Sequence, residues 1–122
     1  MKKFREKTQT VIIASSSAAG TRLFTLVTDS DAETIVGLKI SRITEGGLTY
    51  YNVGFKPNNG GAYVKDVTNV DDFVASTSVA KSERWNDVQA PAAGNTYQIE
   101  VETFSATSSE LRFQFQTRCE LI

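Results

Sequence analysis

Residues Leu111 to Cys119 read Leu-Arg-Phe-Gln-Phe-Gln-Thr-Arg-Cys. Leu111, Phe113, Phe115, Thr117 and Cys119 alternate with Arg112, Gln114, Gln116 and Arg118. A period of two belongs to an extended strand with one dry face and one wet face, because successive side chains leave a strand on opposite sides. The segment before it repeats the pattern: Tyr97, Ile99, Val101 and Thr103 alternate with Gln98, Glu100 and Glu102. Ser105 to Glu110 is polar and suits a connection. The two segments are predicted to form an antiparallel pair with one solvated face.

The same reading extends towards the N-terminus. Strands are expected over Thr8–Ala14, Arg22–Thr28, Ile35–Thr44, Leu48–Lys56 and Ala62–Val67. In the third of these, Val36, Leu38 and Ile40 share a face. Glu45, Gly46 and Gly47 supply a tight hairpin turn, and Pro57 to Gly61 carries the strongest turn signal in the chain. Between Thr68 and Asn95, Val70, Phe73 and Val74 fit one helical turn, with a short strand over Phe73–Val79 as the alternative. Trp85 and Val88 anchor a long connection onto the core, which Pro91 to Asn95 ends. Seven or eight short strands separated by turn signals give an all-β chain, an antiparallel β-sandwich. A long loop before the final pair suits a single eight-stranded jelly roll; an immunoglobulin-like sandwich is the alternative.

The chain has 122 residues, 40% hydrophobic and 22% charged, which fits one domain with a two-layer core. Its expected organisation is a basic N-terminal arm over residues 1–7 and one sandwich domain over 8–122. A net charge of −1 provides no overall positive field for a polyanion, so no specific nucleic-acid partner is expected. No apolar run is long enough for a transmembrane segment. Lys2, Lys3, Arg5 and Lys7 followed by Val11 to Ala14 look superficially like a leader peptide. The apolar part is short and diluted by Glu6, Gln9 and Thr10, so it reads as a basic arm running into a first strand.

The chain contains no histidine, which removes the commonest general base and the commonest metal ligand together. Cys119 is the single cysteine, so no disulfide forms within the chain. Asp29, Asp31 and Glu33 cluster acidic oxygens, but without the spacing of a calcium loop. Asp66, Asp71, Asp72, Glu83 and Asp87 flank loops, where solvated carboxylates are ordinary. Ser15, Ser16 and Ser17 have no histidine to activate them, and none has a lysine three residues on. The two glycine pairs lack the spacing of a phosphate loop. No catalytic, cofactor-binding or metal-binding residue, no cofactor and no small-molecule substrate is therefore expected. Two other sets remain. Lys2, Lys3, Arg5 and Lys7 form a basic patch suited to assembly contacts. Trp85, beside Asn86 and Asp87, suits stacking on a sugar ring, and with Tyr50, Tyr51, Phe55 and Tyr63 it makes an aromatic set. Tyr50 and Tyr51 must face opposite sides of one strand.

Taken together, a basic start at Lys2, Lys3, Phe4 and Arg5, a Thr/Val-rich first strand, small residues from Ser15 to Gly20, a glycine-punctuated middle and a closing Thr117-Arg118-Cys119 resemble the small all-β structural proteins of bacteriophage virions. These include single jelly-roll capsid-vertex (penton) proteins and capsid decoration or auxiliary proteins. The resemblance implies a non-enzymatic structural protein, a symmetric homo-oligomer touching other capsid proteins, located in the virion. The first and last strands, Thr8–Ala14 and Leu111–Cys119, are the candidate sheet edges for such contacts. A carbohydrate-binding or adhesion module built around Trp85 is the alternative function.

Overall fold

The computed structural model describes residues 3–74 and 85–122. Among them lie eight strands: β1 Phe4–Ile13, β2 Gly20–Val27, β3 Ala32–Glu45, β4 Asn52–Pro57, β5 Lys65–Asn69, β6 Asn86–Pro91, β7 Thr96–Thr103 and β8 Leu111–Leu121. They form two antiparallel sheets, β1-β8-β3-β6 and β2-β7-β4-β5. Only β4 and β5 are neighbours both in sequence and in a sheet; every other ladder joins strands distant in sequence. This order is the expected jelly roll. The immunoglobulin-like alternative, with its different strand order in the two sheets, is not the one adopted.

The alternation in β7 and β8 dictates their places. Tyr97, Ile99, Val101 and Thr103 are buried on one face of β7, and Leu111, Phe113, Phe115, Thr117 and Cys119 on one face of β8. Each stripe is long enough to line the whole core, and each strand sits inside its sheet with a neighbour on both sides. The predicted pairing of β7 with β8 is overturned: they lie in opposite sheets. The polar connection between them crosses the end of the sandwich instead of closing a hairpin. Buried Thr107 fixes it there, donating from Oγ1 to Ala14 O at 2.8 Å and accepting from Ser17 N at 2.9 Å.

The core is joined by aromatic rings. Phe55 of β4 stacks on Tyr97 at 4.9 Å and, across the sandwich, on Phe115 at 5.2 Å; Phe115 also meets Phe73 at 6.1 Å, and Tyr51 stacks on Phe113 at 5.8 Å. Tyr51 is fully buried while Tyr50 is 52% exposed, but both precede β4, which begins at Asn52 and not at the expected Leu48, so the division is made by the connection and not by two faces of a strand.

Several element boundaries differ from expectation. Strand β1 begins at Phe4, where Phe4 to Lys7 pair with Glu120 to Thr117, so these residues belong to the sheet and not to a free arm. A register shift between Ile35 and Gly37 turns Ile35, Leu38 and Ile40 into the core in place of Val36. Gly46 and Gly47 adopt φ of 63° and 77°, as a tight turn needs, but they carry the chain from one sheet to the other and close no hairpin. A Cβ on Gly46 would stand 2.8 Å from Leu111 Cβ. Strand β6 replaces part of the expected long connection. Its own sequence is a weak strand former, and it is held by pairing with β3 and by Asn86, whose side-chain amide donates to Leu38 O at 3.1 Å and Phe73 O at 3.2 Å. The predicted helical turn is a 3₁₀ turn over Val70–Asp72, capped by Asn69 Oδ1 accepting from Asp71 N at 2.9 Å and burying Val70. Most of the alternative strand over 73–79 lies outside the described residues.

Two substitutions test this core. Phe115→Ala should cost about 3–5 kcal/mol, since Phe115 carries the cross-sheet stack. The buried Tyr51 hydroxyl has no hydrogen-bond partner among the described residues, and burial raises its pKa. Tyr51→Phe should therefore leave stability unchanged or raise it. Urea denaturation midpoints of the two variants check both outcomes.

Candidate assembly surface

The sandwich has two flanks, and they differ. On one, β5 and β6 are the sheet edges; on the other, β1 and β2. Strands β5 and β6 have 5 and 6 residues, each has a register shift in its pairing, and β6 ends at Pro91. Short length, bulges and proline are the ordinary means of blunting an open edge. Strands β1 and β2 have 10 and 8 residues and pair with β8 and β7 without a register shift. Neither contains proline. The expected β1 edge is thus found, whereas β8, the other candidate edge, is enclosed between β1 and β3.

Within β1 the segment Thr8-Gln-Thr-Val-Ile-Ile13 is uncharged and strongly β-forming. Val11 and Ile13 enter the core, and Ile12 stays 44% exposed on the outer side. Phe4 is also exposed on β1, as are Leu23 and Val27 on β2, so much of the exposed apolar side-chain surface lies on these two strands. Gln9 spans the gap between the sheets, its amide donating to Thr25 O at 2.7 Å.

The charged half of β1 is engaged by the chain itself. Arg5 makes a two-pronged contact with Asp31, Nη1 to Oδ1 at 2.7 Å and Nη2 to Oδ2 at 2.9 Å, and Nη1 also reaches Asp29 at 3.0 Å. Lys7 Nζ contacts Asp29 at 2.9 Å. The hydrogen bond from Lys7, then that from Arg5, holds the Asp29 carboxyl below its usual pKa. Asp31, followed by Asp29, raises that of Arg5. Of the four expected basic contacts, Arg5 and Lys7 therefore form an internal clamp between β1 and the β2–β3 turn. Lys3 is exposed, and its carbonyl accepts from Leu121 N at 2.8 Å. Lys2 lies outside the described residues. Asp29 and Asp31 of the acidic cluster are the other half of this clamp; Glu33 is not part of it. Its signal in the sequence was the opposite charge of two short runs, 2–7 and 29–33, although nothing in either run says that they meet.

Trp85 sits apart from the β1–β2 flank. It is half-buried, packs its ring over Gly37, and has Lys39 Nζ 4.4 Å from the ring centroid. A sugar stacking on the face under Lys39 must displace that ammonium. The acidic residues of the loop region are dispersed: Asp71 pairs with Arg42, Asp72 accepts from Thr68, and Asp66 and Asp87 are exposed. Glu83 lies outside the described residues. Two of the three turn serines donate to backbone, Ser15 to Ser108 O at 3.3 Å and Ser17 to Ala14 O at 2.7 Å. No helix among the described residues is long and apolar enough to cross a membrane.

No family model matches the chain, and no curated protein does. Among solved structures, the chain is similar to one described as Bacillus endospore appendages that form a novel family of disulfide-linked pili. Identity there is 14%, coverage is 100% of this chain and 92% of that chain, and the TM-score is 0.44. A weaker likeness is to the structure of infectious bursal disease virus Gx strain, at 12% identity, 98% coverage of this chain, 42% of that chain and a TM-score of 0.22.

The clamp predicts a local pH response. A carboxyl whose pKa is lowered by folding stabilises the structure above its ordinary range, and that contribution is lost as pH falls through the lowered value. The Asp29 contacts should hold near neutral pH and open in acid below the ordinary carboxylate range. Asp29→Asn combined with Asp31→Asn should mimic this at neutral pH. Hydrogen exchange should then quicken at Arg5, Glu6 and Lys7, while Val11 and Ile13 keep their protection.

Proposed function

We propose that the protein is a non-enzymatic structural subunit that assembles symmetrically with copies of itself through the β1–β2 flank, as a minor capsid, vertex or decoration protein of a virus particle. The observation that carries this reading is the edge strand β1: 10 residues, no proline, no register shift, and an uncharged half from Thr8 to Ile13. Such an edge offers a row of backbone donors and acceptors to another chain, and a lone soluble protein ordinarily blunts it. The opposite flank is blunted in that way, so the difference lies within one molecule. Exposed Ile12, Leu23 and Val27 add apolar area beside the open backbone, which a neighbouring copy would remove from water.

A closed symmetric assembly follows naturally from one self-complementary or head-to-tail patch repeated on every copy. In a virion, this subunit would contact both its copies and other capsid proteins. The reading of the protein as non-enzymatic rests on the absence of histidine and on the dispersal of its carboxylates.

Native mass by light scattering across a concentration series tests the reading. The wild-type protein should form a discrete oligomer. Thr10→Lys with Ile12→Lys places charges on the outer side of β1 without touching the core, so thermal stability should stay within about 0.5 kcal/mol of wild type. The variant should be monomeric at concentrations where the wild type is assembled. A wild-type monomer throughout the series, or an oligomer indifferent to the two lysines, would count against the β1 edge.

A further inference from the structure

A cleft of about 630 Å³ opens beside the β5–β6 flank, between the β4–β5 loop and the β6–β7 turn. Its volume is that of a small-molecule site. Not one of its thirteen lining residues is charged, in a chain whose charged fraction is 22%. No lining side chain offers a phosphate, carboxylate or ammonium ligand a countercharge, and Lys56, which stands beside Tyr63, is paired with Glu100 at 3.2 Å. The lining instead combines two tyrosines, two prolines and several side-chain amides.

These groups are held in place. Tyr63 is 39% exposed; its hydroxyl donates to Glu100 Oε1 at 2.9 Å, and Lys56 Nζ, paired with the same oxygen at 3.2 Å, stands 5.5 Å from the ring centroid, so a sugar stacks on the ring face away from that ammonium. Tyr97 is buried and donates its hydroxyl to Pro91 O. The loop is tied down by Asn58 N donating to Thr96 O at 3.1 Å and by Val64 N donating to Phe55 O at 2.9 Å. Asn59 and Asn95 use their side chains internally, Asn59 Oδ1 accepting from Gly61 N at 3.3 Å and Asn95 Nδ2 donating to Pro91 O at 3.4 Å. The side-chain amides of Asn58 and Gln89 are different: both residues are exposed, and among the described residues neither amide has a protein hydrogen-bond partner, so both are available to a ligand. Each presents a donor and an acceptor in one plane. Vicinal hydroxyl groups match that pattern, and the weakly polarised C–H face of a pyranose matches an exposed tyrosine ring.

We propose that this cleft is a binding site for a neutral saccharide, with Tyr63 as the stacking platform and Asn58 and Gln89 as the hydroxyl-reading groups. The site includes neither Trp85 nor any residue of β1 or β2, although its rim residue Asn95 accepts through its carbonyl from Thr28 N, just beyond β2, at 3.1 Å. A subunit assembled through β1 and β2 therefore leaves it free, and the two activities are separable by mutation.

The test is a titration of the isotope-labelled full chain with neutral gluco-, manno- and N-acetylglucosamine oligosaccharides, read by side-chain amide NMR. The Asn58 and Gln89 amide signals should move progressively and saturate with a Kd on the order of 1 mM for at least one neutral sugar. Tyr63→Ala should weaken that binding about tenfold, and Asn58→Ala with Gln89→Ala should weaken it comparably. Tyr63→Phe should retain the stacking contribution, and Ile12→Lys should bind as wild type does. Three results would overturn the proposal: no movement with any neutral sugar at about 100-fold above that concentration, movement with charged oligosaccharides only, or movement with protein concentration alone. The last would make the cleft a contact between copies of the chain.

Discussion

Phe55 lies 4.9 Å from Tyr97 in its own sheet and 5.2 Å from Phe115 in the opposite one. Two β-sheets stay together only if their inner faces interdigitate without voids, and large rings fill that layer with few side chains. Around this contact the two most regular strands, β7 and β8, take the centres of their sheets. Once they are central, the remaining strands must flank them. The short polar strands β5 and β6 fall on one side, and the long strands β1 and β2 on the other. The asymmetry of the flanks thus follows from where the apolar stripes are strongest.

That asymmetry separates two kinds of surface. The β1–β2 flank is long, regular and partly apolar, with its basic half neutralised by Asp29 and Asp31. Inward-pointing cations on an edge usually deter a second chain from adding to the sheet. Here Arg5 and Lys7 are turned to an intramolecular pairing, and the uncharged half of β1 is left open. The β5–β6 flank is irregular, and its loops enclose a cleft without charges. Irregular backbone between sheets makes concavity, and regular backbone makes a pairing edge.

The alternation of Leu111–Cys119 and Tyr97–Thr103 was legible because a period of two survives in sequence whatever the partner strand is. So were the turns at Gly46–Gly47 and Pro57–Gly61, although the first joins the two sheets and closes no hairpin. Strand partners were less legible. A hairpin is written locally in its turn, but a jelly roll pairs β1 with β8 and β2 with β7, far apart in the chain. Strand β6 was missed because Asn86, Asp87 and Pro91 disfavour a strand, and only the backbone of β3 and the Asn86 amide hold it in one. Basic Arg5 and Lys7 were conspicuous, yet their partners at Asp29 and Asp31 became visible only when the β2–β3 turn was brought beside β1. The cleft residues Asn58, Tyr63 and Gln89 carried no shared signal, since residues up to 40 positions apart in the chain, from Pro57 to Tyr97, form it.

The sequence by itself determined that the chain is all-β, which faces of its strongest strands are dry, and that histidine chemistry is absent. Those properties depend on side-chain type and local spacing alone. Only the tertiary structure decided which strands are edges, that β8 is enclosed and β1 open, that the basic start is clamped to two aspartates, and that a cleft with an uncharged lining lies between the β4–β5 loop and the β6–β7 turn. Each of these depends on which distant segments meet, and in this fold that is set by the packing of two whole sheets around one aromatic layer.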